Sequence, residues 1–247
     1  MIQLVSIELT NKCGKQCAFC YNHSNREGAT LWSVEELIYF IQNLSQNGVK
    51  AVSLGGGEPL EYPGLFSVLR ATKGMLFRSM TTNGLLLDKG DNFKKLIDSH
   101  PNKVHISLHF PGNQKEVRRV LRQVQALSTE GIVAGINLLI HRDKLLVARA
   151  ASDFLKAEGI KMEQIVYLPM KMGNLVSAEM VQFVAGQKYF QSMSCLQACG
   201  KSERFCSVSW DKKIAWCSYT KAKHSLQSLD FAGIKHALEN LNLIYCG

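Results

Sequence analysis

The sequence contains no stretch approaching the roughly 18 continuous apolar residues of a membrane span. Its first residues lack the basic, then apolar, then small order of a signal peptide. No low-complexity stretch and no repeat at a solenoid period interrupts it, which excludes a repeat array and a flexible linker between independent domains. Acidic residues are outnumbered, 20 Asp and Glu against 29 Lys and Arg, but the +9 excess is spread along the chain. Only small groups occur, at Arg118, Arg119 and Arg122 and at Lys212 and Lys213. Nucleic-acid binders gather basic residues on one face with stacking aromatics, so a solvated surface is the reading and no nucleic-acid partner is expected. An acidic peptide or phosphorylated substrate stays open. Cysteine is absent from residues 21–194; all eight lie at the two ends, as Cys13, Cys17 and Cys20 and as Cys195, Cys199, Cys206, Cys217 and Cys246. Without an export signal a cytoplasmic location is expected, where thiols stay reduced, so these cysteines read as metal ligands or redox groups rather than disulfides.

Apolar β-branched segments alternate with amphipathic ones through the first 170 residues or so. Strands are predicted at Gln3–Leu9, Ala51–Gly55, Leu76–Thr81, Val104–His109, Val133–Ile140 and Gln164–Leu168. Helices fall between them, at Ser33–Gln46, Gly64–Ala71, Asp91–Asp98, Gln114–Glu130 and Lys144–Ala157. Ser33 and Glu36 form a capping box ahead of the stripe Val34, Leu37, Ile38, Ile41 and Leu44. Gly48, Gly131 and Gly159 stand where left-handed C-caps are expected. Repeated β-α alternation implies parallel strands with right-handed crossovers. The fold class is therefore α/β, a partial (β/α)6 TIM-like barrel over 1–175, with a small Cys-rich C-terminal extension over 176–247. In the extension a helix is expected at Ala178–Gln191, a hairpin of Ser207–Trp210 and Ile214–Cys217, and a last helix at Phe231–Leu241. The tail is expected to pack on the barrel.

Chemistry in such folds sits beyond the carboxyl ends of the strands. Cys13, Cys17 and Cys20 follow the first strand in a C-x3-C-x2-C run. A [4Fe-4S] cluster held by three thiolates leaves one iron open to a substrate or cofactor, whereas four thiolates make an electron-transfer centre. The alternative is a zinc site completed by His23. Zinc, however, does not explain Gly56, Gly57, Glu58 and Pro59 at the matching position after the second strand.

The run Cys13-Gly-Lys-Gln-Cys17-Ala-Phe-Cys20, with Gly56-Gly57-Glu58-Pro59, Thr82-Asn83-Gly84 and Ile106-Ser107-Leu108 in that order, resembles the radical S-adenosylmethionine (radical SAM) superfamily. The likeness spans about two thirds of the chain. It implies a [4Fe-4S] cluster coordinated by the three cysteines and by S-adenosyl-L-methionine, one-electron cleavage of the C5'–S bond, and hydrogen abstraction by the 5'-deoxyadenosyl radical. The hard chemistry belongs to the cofactor, and the protein places and shields it. By the same resemblance Phe19 shields the cluster and contacts adenine, and the glycine stretch with Glu58 serves the methionine amino group. The resemblance places Asn83 in the same cofactor site and Ser107 as an expected ribose contact; Asn137, polar inside an apolar run, is a second ribose candidate, and the Arg142 guanidinium is a candidate partner for the methionine carboxylate. Residues 170–174 close over the adenosine. Plainer readings stand beside these: a turn that needs glycine, a buried amide wanting partners, a surface arginine.

Cys199 followed by glycine, with Cys217 after a hairpin, resembles the SPASM and shorter twitch extensions of the superfamily, which hold auxiliary iron-sulfur clusters. Cys199, Cys206, Cys217 and Cys246 are the expected ligands of a second [4Fe-4S] cluster. The longer cysteine ladder of a full SPASM module is missing, so two auxiliary clusters are not expected. Cys195 competes with Cys206, and whichever is spare is a candidate hydrogen-atom donor. A structural zinc and plain buried thiols are the alternatives.

This resemblance implies an oxidoreductase modifying a ribosomally synthesised peptide by cross-link, oxidation or epimerisation. A small-molecule dehydrogenase of sugars or alcohols and a glycyl-radical activase are the enzymatic alternatives, and an iron-sulfur or zinc-binding adaptor the non-enzymatic one. An electron donor such as flavodoxin or ferredoxin is implied as a partner. The chain enters its first strand at once, which leaves no room for a fused leader-peptide reader, so a peptide substrate needs a separate recognition protein or direct docking.

Overall fold

A computed structural model describes residues 1–171, 175–193, 196 and 202–242. The β-α series runs β1 (Leu4–Thr10), α1 (Val34–Gln46), β2 (Ala51–Gly56), α2 (Leu65–Ala71), β3 (Phe77–Thr82), α3 (Asn92–Asp98), β4 (Lys103–Leu108), α4 (Gln114–Thr129), β5 (Val133–Ile140), α5 (Leu145–Ala157), β6 (Ile165–Pro169) and α6 (Ala178–Ala185). The described tail adds β7 (Gln191–Ser192), β8 (Phe205–Val208), β9 (Lys213–Ala215), β10 (His224–Ser225) and α7 (Phe231–Glu239). Two compact units divide the series after β3 and α3: Met1–Asn102 with the described residues of Gly200–Cys246, and the described residues of Lys103–Cys199. This division falls inside the β-α series.

In the first unit the strand order is β10-β9-β8-β1-β2-β3. β8, β1, β2 and β3 are parallel, and β8-β9-β10 turn back antiparallel. Val5, Ile7 and Leu9 of β1 and Val52 and Leu54 of β2 are buried with Leu37, Phe40, Ile41 and Leu44 of α1 and Leu65, Val68 and Leu69 of α2. The alternation of β1 thus gives one face to this core and leaves Ser6, Glu8 and Thr10 on the other. The capping box at α1 is present: Glu36 N–H donates to Ser33 Oγ at 3.1 Å, and Ser33 N–H to Glu36 Oε2 at 2.9 Å. The tail hairpin docks on this corner. Lys212 Nζ meets Glu36 Oε1 at 2.6 Å and lies over the Trp32 ring, whose Nε1–H donates to the Ser209 carbonyl.

Arg78 of β3 is buried to 2% exposure on the core side. Its guanidinium donates to the Leu69 carbonyl in the last turn of α2 and, at 2.6 Å, to the carbonyl of His100 just past α3. A cation at two helix C-terminal ends satisfies carbonyls that the helices themselves leave unpaired. Arg78→Met, which keeps much of the volume, is expected to lower unfolding free energy by roughly 2–5 kcal/mol in urea titrations, because both carbonyls lose their donor in the core.

In the second unit β4-β5-β6-β7 are parallel. Two expectations change. The helix predicted to reach Gln191 ends at Ala185, where Gly186 adopts φ +79° and caps it; Gln191 and Ser192 then pair with β6. The first hairpin strand begins two residues earlier than predicted, the second is one residue shorter, and β8 is claimed as a parallel neighbour by β1.

Candidate active site

The loop after β1 is closed on itself. Thr10 Oγ1 and Asn11 N–H both donate to the Ala29 carbonyl, at 3.0 and 2.8 Å, and Cys13 N–H donates to the Asn25 carbonyl at 2.7 Å. Within it, tight turns run from Cys17 to Cys20 and from Cys20 to His23, with Gln16 and His23 at positive φ. Cys13, Cys17, Cys20 and Phe19 are half-buried in this one loop. Among the described residues no three His, Cys, Asp or Glu side chains converge to hold a single metal ion. His23 N–H closes the second of these turns on the Cys20 carbonyl at 3.1 Å.

The end of β2 presses against this loop. Gly57 N–H donates to the Thr10 carbonyl at 2.7 Å and Glu58 N–H to the Lys12 carbonyl at 2.8 Å. Gly56 has φ +109°, and a Cβ on Gly57 would lie 2.2 Å from the Lys12 carbonyl oxygen. Both glycines are thus demanded by main-chain approach to the cysteine loop. Pro59 opens a short 3-10 turn, Pro59–Glu61, from which Glu61 Oε1 accepts the Gly14 N–H at 2.6 Å.

Glu58 is fully buried and turned inward. Its Oε1 accepts from Thr82 Oγ1 at 2.6 Å and Leu60 N–H at 3.0 Å, and its Oε2 from Asn83 N–H at 2.8 Å. Burial raises its pKa against these bonds. This arrangement makes Glu58 a tie between the ends of β2 and β3 rather than a group directed at a ligand. The tie delivers Asn83, whose Nδ2 donates to Cys13 Sγ at 3.7 Å. Burial raises the Cys13 pKa, the Lys15 and Gln16 amides lower it, and the Asn83 amide donates to the sulfur. N–H donors around a sulfur suit a cluster thiolate and help set its potential. A cubane spreads three thiolates over three irons, and the three separate half-buried thiols of this loop fit that group.

In the second unit Ser107 of β4 lies opposite Asn137 of β5 in register. Ser107 is buried, and Asn137 favours the charged form of the neighbouring His105. Desolvation, with Lys103 next, pushes the His105 pKa down to about 4. His109 N–H donates to Glu116 Oε1 at 2.8 Å. Arg142 is exposed at the start of the 3-10 turn after β5.

Cys206 is fully buried on β8 opposite Val5, on the apolar core side, and desolvation pushes its thiol up to about 12. A thiol enclosed among core side chains is reached by neither a cluster nor a substrate radical unless that core opens, so Cys206 sits in the structure as a core residue. Cys217 is half-buried beside Tyr219, which packs on Tyr21 with ring centroids 4.4 Å apart. Cys195, Cys199, Cys246 and residues 172–174 lie outside the described residues. The sequence reading missed two features here: Glu8, legible in principle as a charge inside an apolar strand, and the Tyr21–Tyr219 pair, which depends on a long-range contact.

The family profile described as the Radical SAM superfamily matches residues 7–143. The chain belongs to the radical SAM superfamily. Curated relatives include the probable GTP 3',8-cyclase of Methanocaldococcus jannaschii, 33% identical over 182 residues, covering 69% of this chain and 60% of that one. The GTP 3',8-cyclase of Clostridium perfringens strain 13 is 28% identical over 156 residues, 58% of this chain and 48% of that one. The chain spans between about a third and three fifths of the length of the relatives it matches. Among solved structures it resembles Streptococcus suis SuiB bound to precursor peptide SuiA, with TM-score 0.74 and 16% identity over 91% of this chain and 62% of that one. It also resembles anSMEcpe with bound AdoMet, with TM-score 0.67 and 14% identity over 96% of this chain and 81% of that one. These likenesses establish the fold, and the α/β class with a partial TIM-like barrel stands. Membership of a radical SAM superfamily implies an enzyme with a [4Fe-4S] cluster and S-adenosylmethionine. No helix of the described residues is long and apolar enough to cross a membrane.

Proposed function

We propose that this radical SAM protein abstracts a hydrogen atom from a ribosomally synthesised peptide, leading to a cross-link, an oxidation or an epimerisation. The observation that carries the chemistry is the Cys13–Asn83–Glu58–Thr82 network, which ties the ends of three strands into one cysteine-loop support. When bound, the cluster with S-adenosylmethionine supplies the electron and the 5'-deoxyadenosyl radical. Cys13, Cys17 and Cys20 hold it, and Phe19 covers one side. Gly56, Gly57 and Pro59 keep the loop in place. Ser107 and Asn137 are the proposed ribose contacts, and Arg142 the proposed partner of the methionine carboxylate. Cys199, Cys217 and Cys246 are the proposed protein ligands of an auxiliary [4Fe-4S] cluster in the C-terminal region, and Cys195 the proposed spare hydrogen donor. Flavodoxin or ferredoxin in the cytoplasm is the proposed reductant.

A peptide substrate is supported by the reach of the structural likeness. SuiB is described with a precursor peptide and anSMEcpe with the Cp18Cys peptide, and these matches run over 91% and 96% of the chain. A second reading, a GTP 3',8-cyclase-like reaction, is favoured by the 33% identity to the M. jannaschii protein. Anaerobic assays of 5'-deoxyadenosine with reduced flavodoxin separate the two. The expected result is that GTP leaves the rate unchanged while a precursor peptide encoded beside the gene raises it by at least about tenfold, as substrate binding is spent on the reactive step. GTP consumption with stimulated 5'-deoxyadenosine formation would establish the second reading instead.

A further inference from the structure

Glu8 has no part in holding the cysteine loop, yet it is the most anomalous side chain of the first unit. It lies on β1 between Ile7 and Leu9 with 2% exposure, and neither carboxylate oxygen has a hydrogen-bond partner. Buried carboxylates are normally bonded, because an isolated one is costly. Buried Glu58 and Glu116 obey that rule. An exception of this kind is expected where a ligand completes the bonding.

The surroundings suit a ligand of one charge. Glu8 faces away from the core formed by Val5, Ile7 and Leu9. Its register partner on β2 is Gly55, and a Cβ built there would meet nothing within 4 Å, so open space adjoins the carboxylate. The Tyr21–Tyr219 ring pair belongs to the same neighbourhood: Glu8, Cys20 and Cys217 all act electrostatically on the Tyr21 hydroxyl. Burial is the largest influence on Glu8 and raises its pKa; Lys223 favours the charged form and Asp211 opposes it, and neither bonds to it. The Trp210 amide also favours the charged form without completing a hydrogen bond in the structure. Asp211 is itself engaged, with Ser209 Oγ and with Lys213 Nζ at 2.6 Å. A buried carboxylate with open space beside it and a tilted tyrosine pair nearby, the ring planes 41° apart, is an arrangement suited to an organic cation. Among the described residues no three ligating side chains converge there for a metal.

We propose that Glu8, with the Tyr21–Tyr219 pair, binds a cationic group of the substrate, an alkylammonium or guanidinium on a flexible chain such as a lysine or arginine side chain. The inference rests on the peptide-modifying reading and sharpens it, because the same carboxylate would repel a nucleoside triphosphate. The test uses cluster-loaded protein with S-adenosylmethionine, kept anaerobic. N-acetyl-lysine and N-acetyl-arginine methylamides are compared with the neutral N-acetyl-norleucine methylamide by ligand-observed NMR titration. Wild type is expected to prefer the cationic probes by about 10- to 100-fold, the range of a hydrogen bond to a charged group, and Glu8→Gln to lose that preference. Glu8→Gln is also expected to melt higher than wild type without probe, since it removes an unpartnered buried charge; a purely structural Glu8 predicts a lower melting temperature. No charge preference in wild type, an unchanged preference in Glu8→Gln, or a Glu8→Gln that melts lower or does not fold overturns the site. Wild-type 5'-deoxyadenosine formation on the same preparation keeps the two ideas apart: its absence overturns the proposed function, whereas its presence without charge preference overturns the Glu8 site alone.

Discussion

Replacing Cys13, Cys17 and Cys20 together by alanine is expected to reduce 5'-deoxyadenosine formation to background, while leaving about four irons per chain if the tail carries its own cubane. The reasoning starts from the loop. Its main chain is held by bonds that do not involve the thiols: Cys13 N–H to the Asn25 carbonyl, Gly14 N–H to Glu61, and Thr10 Oγ1 to the Ala29 carbonyl. Removing three half-buried sulfur atoms therefore spares the fold and deletes only the ligands. A fall in iron without loss of cooperative unfolding is the signature sought, read by iron and sulfide counting beside a thermal melt. Cys206→Ala is the contrasting variant. Its thiol is packed opposite Val5 in the core, so it is expected to cost about 1 kcal/mol of stability and no iron. Loss of iron from Cys206→Ala would return that residue to the ligand set. Retention of 5'-deoxyadenosine formation in the triple variant would remove the cysteine loop from the mechanism.

Local pattern carried most of the fold because the elements are locally consistent. The strand predicted at Val133–Ile140 is found with those bounds, since its apolar run is bracketed by Gly131 and the exposed turn at Arg142. The capping box at Ser33 was legible because both partners lie within one turn of chain. What failed depends on pairing at a distance. Nothing near Phe205 in the sequence says that β8 lies beside β1, and that placement alone turns Cys206 into a core residue. Spacing treats all thiols alike, whereas burial does not. Glu58 shows the same limit inside a recognised motif. The motif marks where the residue sits, but only the positions of Thr82 and Asn83 reveal that its oxygens point into the protein.

Gly57→Ala is expected to disturb the site as severely as a ligand change, although it adds a single methyl group. The new Cβ would lie 2.2 Å from the Lys12 carbonyl oxygen, 2.8 Å from its carbon and 2.9 Å from the Asn11 carbonyl carbon. All three are main-chain atoms, so no side chain can swing aside and the loop itself must move. That movement strains the Gly57 N–H bond to Thr10 and the Glu58 N–H bond to Lys12. It also shifts Cys13 from Asn83, which is fixed independently by Glu58. Overpacking of this kind costs about 1–3 kcal/mol, or roughly 2–12 °C of melting temperature at this chain length. The larger loss is in iron content and 5'-deoxyadenosine formation, because cluster assembly needs three thiols in register. Gly55→Ala, two positions earlier, supplies the comparison: its added Cβ meets nothing within 4 Å. It is expected to melt and to load iron as wild type does. Equal behaviour of the two variants would mean that the contact between the glycine turn and the cysteine loop does not set the geometry of the site.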